Sequence, residues 1–274
     1  MRGRVLIVLL LAGLVAGCQE SGFDEAKETA RPLKVQDTLA PLAGTKLPGQ
    51  AERPMTLTAD ALGDALAIGV EPIRAALPEG RLPRYLRSQA AGVEVVAPIT
   101  PLDLAAVEAA DPDLILGDAD TQERLYGDLT GIAPTVMTDG GGRAWKLSLR
   151  LHGEALGRTN DAEALLVDWD GRAAEFQKAS GGAGTRVAVA RVGGDRTETA
   201  GEESFAGTVL ADAGLGAPAP IDSADVVLVS VEPGGEERAR RLGGRQIRVD
   251  PAVWWSNGGI LAARAALADL ERSL

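Results

Sequence analysis

The side chains best suited to chemistry in this sequence are arginines and scattered aromatics. Arg84 and Tyr85 stand together in Leu82-Pro83-Arg84-Tyr85-Leu86-Arg87-Ser88, and Arg191 ends the run Arg186-Val187-Ala188-Val189-Ala190-Arg191. Trp145 follows the glycines at 140–142, and Trp254 and Trp255 lie side by side just ahead of the last apolar-periodic stretch. A guanidinium offers planar, charge-assisted donors to oxygen-rich groups, and an aromatic ring offers an apolar face. Aromatics make up only 3% of the chain, so a Trp or Tyr near a loop is informative. Such a set is equipped to recognise and hold a molecule.

Groups for bond-breaking or metal chemistry are few. The chain has one His, His152, and one Cys, Cys18. A soft or borderline metal site needs clustered imidazole or thiolate ligands. A nucleophile activated by histidine would depend wholly on His152. That residue sits in Arg150-Leu151-His152-Gly153-Glu154 and is expected at a surface or helix end. No phosphate-binding loop of the GxxxxGK[ST] type is present. The chain is therefore expected to be no enzyme, with no catalytic residue, no metal ligand and no resident cofactor. Its formal net charge of −11 argues against nucleic acid as a partner.

The first residues point to a compartment. Arg2 and Arg4 precede an uncharged apolar run, Val5 to Val15, of signal-peptide length and too short for a stable membrane span. Val15-Ala16-Gly17-Cys18 resembles a bacterial lipobox, so residues 1–17 are expected to be removed and Cys18 to carry lipid. Loss of Arg2 and Arg4 takes the net charge to about −13. Residues 18–50, with several Pro and Gly among mixed charges, are expected to form a tether.

The elements that must position the candidate residues alternate between strand and helix. In the first lobe, residues 51–142, strands are expected at 52–58, 93–96, 114–117 and 133–137. Helices are expected at 59–68, ended by Gly69, at 102–110 and at 122–129. A helical connector, residues 143–183, holds one helix over 145–156 and a second to Ala179, capped by Asn160 with Glu163 at N3. The second lobe, residues 184–274, carries strands at 186–191, 225–231 and 246–249 and helices at 204–213 and 257–274. It reads short around 221–244, where no helix is obvious. The pattern is α/β, with mainly parallel sheets in two lobes joined by one long α-helix. Ligands of such sheets lie at the carboxyl ends of the strands, here in a cleft between lobes.

Several segments in order resemble a family. They are Ala61–Gly69 (ALGDALAIG), Leu104–Gly117 (LAAVEAADPDLILG), Tyr126–Val136 (YGDLTGIAPTV), Trp145–Trp169, Ser204–Gly216 (SFAGTVLADAGLG) and Trp255–Leu270 (WSNGGILAARAALADL). Together they are similar to bacterial siderophore-binding lipoproteins of the helical-backbone class of periplasmic binding proteins, over residues 52–274. The resemblance implies two Rossmann-like lobes with small relative motion and a ferric siderophore held between them. It also implies delivery to an ABC permease, where surface acids of each lobe meet permease arginines; Asp60 or Asp64 would supply the acid of the first-lobe helix.

Iron would arrive inside its chelate, so the protein would recognise the organic shell. Arg191 and Trp255 match positions of the family's ligand pattern, with Trp254 then turned to the core. Arg84 and Tyr85 either face the cleft or lie on a surface helix, and Trp145 either walls the cleft or packs beneath it. Ser256, Asn257 and the amides of Gly258 and Gly259 either donate to ligand or cap the last helix. The acidic balance points to a neutral or cationic hydroxamate complex. Other ligands of the same architecture are cobalamin and haem, the latter with Tyr85 or Tyr126 as axial ligand; a lipoprotein serving only as an interaction module is a further reading. The expected state is a monomer anchored through Cys18 to the outer face of the cell membrane.

Overall fold

The computed structural model describes residues 47, 49–77, 80–96, 102–138, 142–180, 184–255 and 258–274. The signal peptide, Cys18, most of the tether, Gly140, Gly141, Ser256 and Asn257 lie outside the described residues.

The first sheet is built from β1 (Pro54–Thr56), β2 (Arg74–Ala76), β3 (Glu94–Val96), β4 (Leu114–Asp118) and β5 (Thr135–Thr138). All its pairings are parallel, in the order β3-β2-β1-β4-β5. Every residue of β4 is buried, as a central parallel strand covered on both faces requires. Around it pack α1 (Ala59–Ile68), α2 (Leu104–Ala109), α3 (Ala119–Gln122) and α4 (Tyr126–Ile132). Thr58 caps α1 by accepting from Ala61 N, and Gly69 closes it at φ 87°. Strand β2 escaped the sequence pattern because Arg74-Ala75-Ala76 has no β-branched or aromatic residue. The expected helix over 122–129 is two helices with a 3₁₀ turn between them, because Asp118 caps a new helix by accepting from Thr121 N.

The connector holds α5 (Trp145–Ala155) and α6 (Thr159–Ala179). At 21 residues α6 is about 32 Å long. Its buried stripe is Ala162, Leu166, Trp169, Ala173 and Phe176, as the 3.6-residue period requires. Its start differs from the capping box expected at Asn160. The chain reverses at Gly157, φ 68°, and Arg158 already accepts from Ala162 N, so Asn160 falls inside the first turn. Glu163 accepts instead from Arg150 Nε of α5 at 2.7 Å.

The second sheet is β6 (Val187–Val192), β7 (Thr197–Thr199), β8 (Val226–Val231) and β9 (Arg245–Arg248), in the order β7-β6-β8-β9. β7 is antiparallel to β6; the other pairings are parallel. Its helices are α7 (Phe205–Asp212), α8 (Glu236–Arg240), α9 (Pro251–Trp254) and α10 (Ile260–Ser273). The stretch that read as short holds α8, whose five residues, Glu-Glu-Arg-Ala-Arg, are too few and too charged to show a helical apolar period. Ser204 caps α7 by accepting from Gly207 N at 3.0 Å. Ser204→Ala should lower stability by about 1 kcal/mol in urea denaturation, while Ser204→Asp should keep most of it.

A single apolar core joins both lobes. It contains Leu62 of α1, Leu116 of β4, Leu149 of α5, Trp169 of α6, Val189 of β6, Phe205 of α7 and Leu267 of α10. The last helix crosses back and packs on α1, so α6 is not the sole bridge between the halves. Two glycines make that crossing possible. A Cβ on Gly258, φ 119°, would stand 2.8 Å from Trp145 Cβ, and one on Gly259, φ 93°, would stand 3.2 Å from Asp64 Oδ1.

Candidate ligand-binding site

Side-chain alternation decides what the carboxyl ends of the strands present. In the first sheet Leu114, Leu116 and Val136 face the shared core, so Asp118 and its register partner Thr138 lie on that same face, one step nearer the strand ends. Thr56 shares the face, because its neighbours Met55 and Leu57 belong to the core on the other side. All three polar residues are buried. The order of strands reverses between β1 and β4, which is where an open α/β sheet forms its ligand crevice.

Asp118 Oδ1 accepts from Thr121 N at 3.0 Å and Thr121 Oγ1 at 3.1 Å. Its Oδ2, Thr56 Oγ1 and Thr138 Oγ1 are buried without a hydrogen-bond partner among the described residues. Burial, and then the nearby Asp60 carboxylate, push the Asp118 carboxyl up to about 6 against the bonds from Thr121. Burial also raises Asp60, with Thr58 and His152 opposing. A cleft floor of this composition combines an acid with two hydroxyls that have no partner among the described residues.

Beneath the floor lies an arrangement that the sequence did not show. His152 lies in the last turn of α5, as the helix-end reading expects, but it is fully buried and not at the surface, because its face of α5 packs on α1. Its Nδ1 lies 2.8 Å from Asp64 Oδ2, and Asp64 Oδ1 accepts from Ile260 N at 2.9 Å. Asp64 thus ties α1, α5 and the start of α10 together. Asp60 and Asp64 are both buried, so neither is the surface acid expected to meet a permease. At the start of α10 it is the amide of Ile260 that serves Asp64, and Gly259 stands at the N-cap without a side-chain cap.

Arg191 and Trp255 are brought into contact. Val187 and Val189 face the shared core, so Arg191 emerges on that face near the carboxyl end of β6. Its guanidinium lies 4.8 Å from the Trp255 ring centre, a cation–π stack. Trp255 is half-buried with its Nε1 unpartnered among the described residues, whereas Trp254 is buried and donates to Asp269 Oδ2 at 2.9 Å. Tyr85 stands where the lobes meet. Its Oη is buried without a partner among the described residues, and burial followed by Asp60, Asp64 and Asp250 raises its pKa. Asp250 belongs to the second lobe, where it caps α9. Arg84 begins the same 3₁₀ turn but is exposed.

Of the two positions open to Trp145, the structure takes the one beneath the cleft. It is only 1% exposed and meets Trp169 and Phe205 edge to face at 5.5 and 6.2 Å. Its ring fills the joint between connector and second lobe, which removes it from the ligand contacts in this conformation. Tyr126 is buried in the far core of the first lobe, away from any axial-ligand role.

Sequence reasoning overlooked the acids around Arg191. Glu198 stands opposite Arg191 in the register of the β6–β7 pair and accepts from its Nε at 3.0 Å and from its Nη2. Glu232, just past β8, lies 3.6 Å from Arg191 Nε. The signal was present in Val192-Gly193-Gly194-Asp195 between two short polar-apolar runs, which is a hairpin pattern. Among the described residues no three His, Cys, Asp or Glu side chains are grouped to hold a metal ion.

Residues 57–233, well over half of the chain, match the family described as periplasmic binding protein. The chain belongs to that family. It is a family of substrate-binding proteins, not of enzymes. Among its curated relatives is the probable siderophore-binding lipoprotein YfiY of Bacillus subtilis, 27% identical over 78% of this chain and 67% of that one. Another is the achromobactin-binding periplasmic protein of Dickeya dadantii, 28% identical over 88% of this chain and 94% of that one. Staphylococcus aureus SirA, solved with staphyloferrin B, superposes with a TM-score of 0.71 at 23% identity, covering 83% of this chain and 94% of that one. Arg191 and Trp255 thus meet at the carboxyl end of β6, and Tyr85 of the first lobe lies near Asp250 of the second.

Proposed function

We propose that this periplasmic binding protein captures a ferric siderophore between its lobes and delivers it to the permease of an ABC importer. It does so as a lipoprotein held at the outer face of the membrane through Cys18. The observation that carries the reading is Arg191 stacked on Trp255 at the carboxyl edge of the second sheet. A guanidinium held over an indole supplies donors to ligand oxygens and an apolar wall to the organic backbone from one place. The two relatives named for siderophores align over most of this chain and support that choice of ligand. Carboxylates outnumber arginines among these residues: Asp60, Asp118, Asp250, Glu198 and Glu232 against Arg191, Arg196 and the exposed Arg84. That balance favours a neutral or cationic complex, the hydroxamate type, over a strongly anionic one.

The test is titration of protein lacking residues 1–18 with ferric hydroxamates, ferric dicitrate, haem and cobalamin, followed by Trp fluorescence. Saturable quenching by a ferric hydroxamate, weakened at least tenfold in Arg191→Ala, is the expected result. Saturation by haem or cobalamin alone would overturn the ligand and leave the fold in place.

A further inference from the structure

The charge on Arg191 is already paired within the protein. Glu198 is placed across the β6–β7 ladder so that its carboxylate reaches both Nε and Nη2 of Arg191. Glu232 approaches the same Nε from the end of β8. The two acids thus come from strands on either side of β6 and bracket one guanidinium, while Trp255 covers its face. Glu198 also pairs with Arg196 at 2.9 Å, but Arg196 is largely exposed and its charge is screened by solvent. Asp195 lies close enough to oppose the pull of both arginines on Glu198. With Nε and one N–H of Nη2 engaged, the guanidinium keeps the second N–H of Nη2 and both of Nη1 for ligand oxygens.

We propose that Glu198 and Glu232 are specificity-determining residues: by offsetting the charge of Arg191 on Trp255, they make the cleft select neutral or cationic ferric complexes and reject anionic ones. The inference rests on the ferric-siderophore reading and adds to it the residues that set ligand charge. An anionic complex must displace two carboxylates from Arg191 before gaining its charge-assisted bonds. A hydroxamate oxygen accepts from the remaining donors without that exchange, and a cationic periphery finds the acids in place.

The test compares the wild type with Glu198→Gln, Glu232→Gln and the double variant. Each is titrated calorimetrically with a monocationic ferric trihydroxamate and with anionic ferric dicitrate. Glutamine keeps the size and an acceptor for Arg191 but removes the charge. The ratio of the two affinities should move at least about tenfold toward ferric dicitrate in the double variant, the scale of one charge-assisted hydrogen bond. Binding of both complexes with an unchanged ratio overturns the proposal and leaves the ferric-siderophore reading standing. If the wild type binds neither complex and the double variant gains ferric dicitrate, the charge filter stands and the choice of ligand falls. Absence of binding by every folded form overturns both. Should the variants fail to fold, the wild type decides through salt: rising ionic strength should weaken the trihydroxamate and relieve the rejection of dicitrate, and the opposite slopes overturn the proposal.

Discussion

Replacing Asp64 with alanine lowers the free energy of unfolding by about 3–5 kcal/mol, seen as an earlier midpoint in urea. The carboxylate has two partners that no water can replace at full burial. Its Oδ2 lies 2.8 Å from His152 Nδ1, and its Oδ1 takes the amide of Ile260 at 2.9 Å. Both residues of the side-chain pair are essentially without exposure, at 0% for His152 and 1% for Asp64. Alanine would strand a buried imidazole nitrogen and a buried amide at once, and each orphaned group costs about 1–3 kcal/mol. His152 Nε2 already lacks a partner among the described residues, so the ring has no second anchor to fall back on. Asp64→Asn keeps an acceptor for one partner and should lose about half as much. A loss below about 1 kcal/mol for Asp64→Ala would mean that the three-way tie does not hold α10 onto α1. Because that tie joins the two lobes, the same variant should also show faster amide exchange at the start of α10, beyond what its lower stability imposes.

What the sequence made legible follows from where its signals are local. The strands rich in Val, Ile and Leu, β4, β6 and β8, were visible because a parallel strand buried on both faces has to be apolar throughout. Helix α1 was visible through its apolar period and the closing Gly69, a signal that acts within a few residues, whereas the caps Thr58 and Ser204 emerge from the structure. The pairing of Arg191 with Trp255 was partly legible, since each residue sits at the end of a readable element. Its electrostatic setting was hidden, because Glu198 and Glu232 reach Arg191 only through strand register and sheet order. The burial of His152 was hidden for the same reason: its partner lies 88 residues away on another helix. Trp145 illustrates the converse. Its place beside a glycine-rich loop left a cleft wall and a packed position equally open, and Trp169 and Phe205, distant in sequence, decide for the second by enclosing its ring.

Asp118→Asn should stabilise the protein at neutral pH, and the gain should vanish in acid. The Asp118 carboxyl titrates near 6 in the folded chain against an ordinary value of 3.8, chiefly through burial and then through Asp60. The folded state therefore holds its proton more tightly than the unfolded chain does. Stability falls as pH rises from about 4 to about 6 and is level above that window, the sign required when the native state binds more protons. A shift of this size corresponds to a penalty on the order of 2–3 kcal/mol once the group is charged. Urea denaturation of both forms at about pH 4 and about pH 7 reads it directly. The variant should be more stable only at the higher pH, and equal stability differences at both would reject the assignment. The bond to Thr121 N that starts α3 needs only an acceptor, which asparagine provides equally well. The fold thus has no use for the charge itself, and Oδ2 points it at no partner among the described residues. A carboxylate kept charged at a cost in stability, at the strand end where the crevice forms, is what a cleft that prefers neutral or cationic cargo would retain.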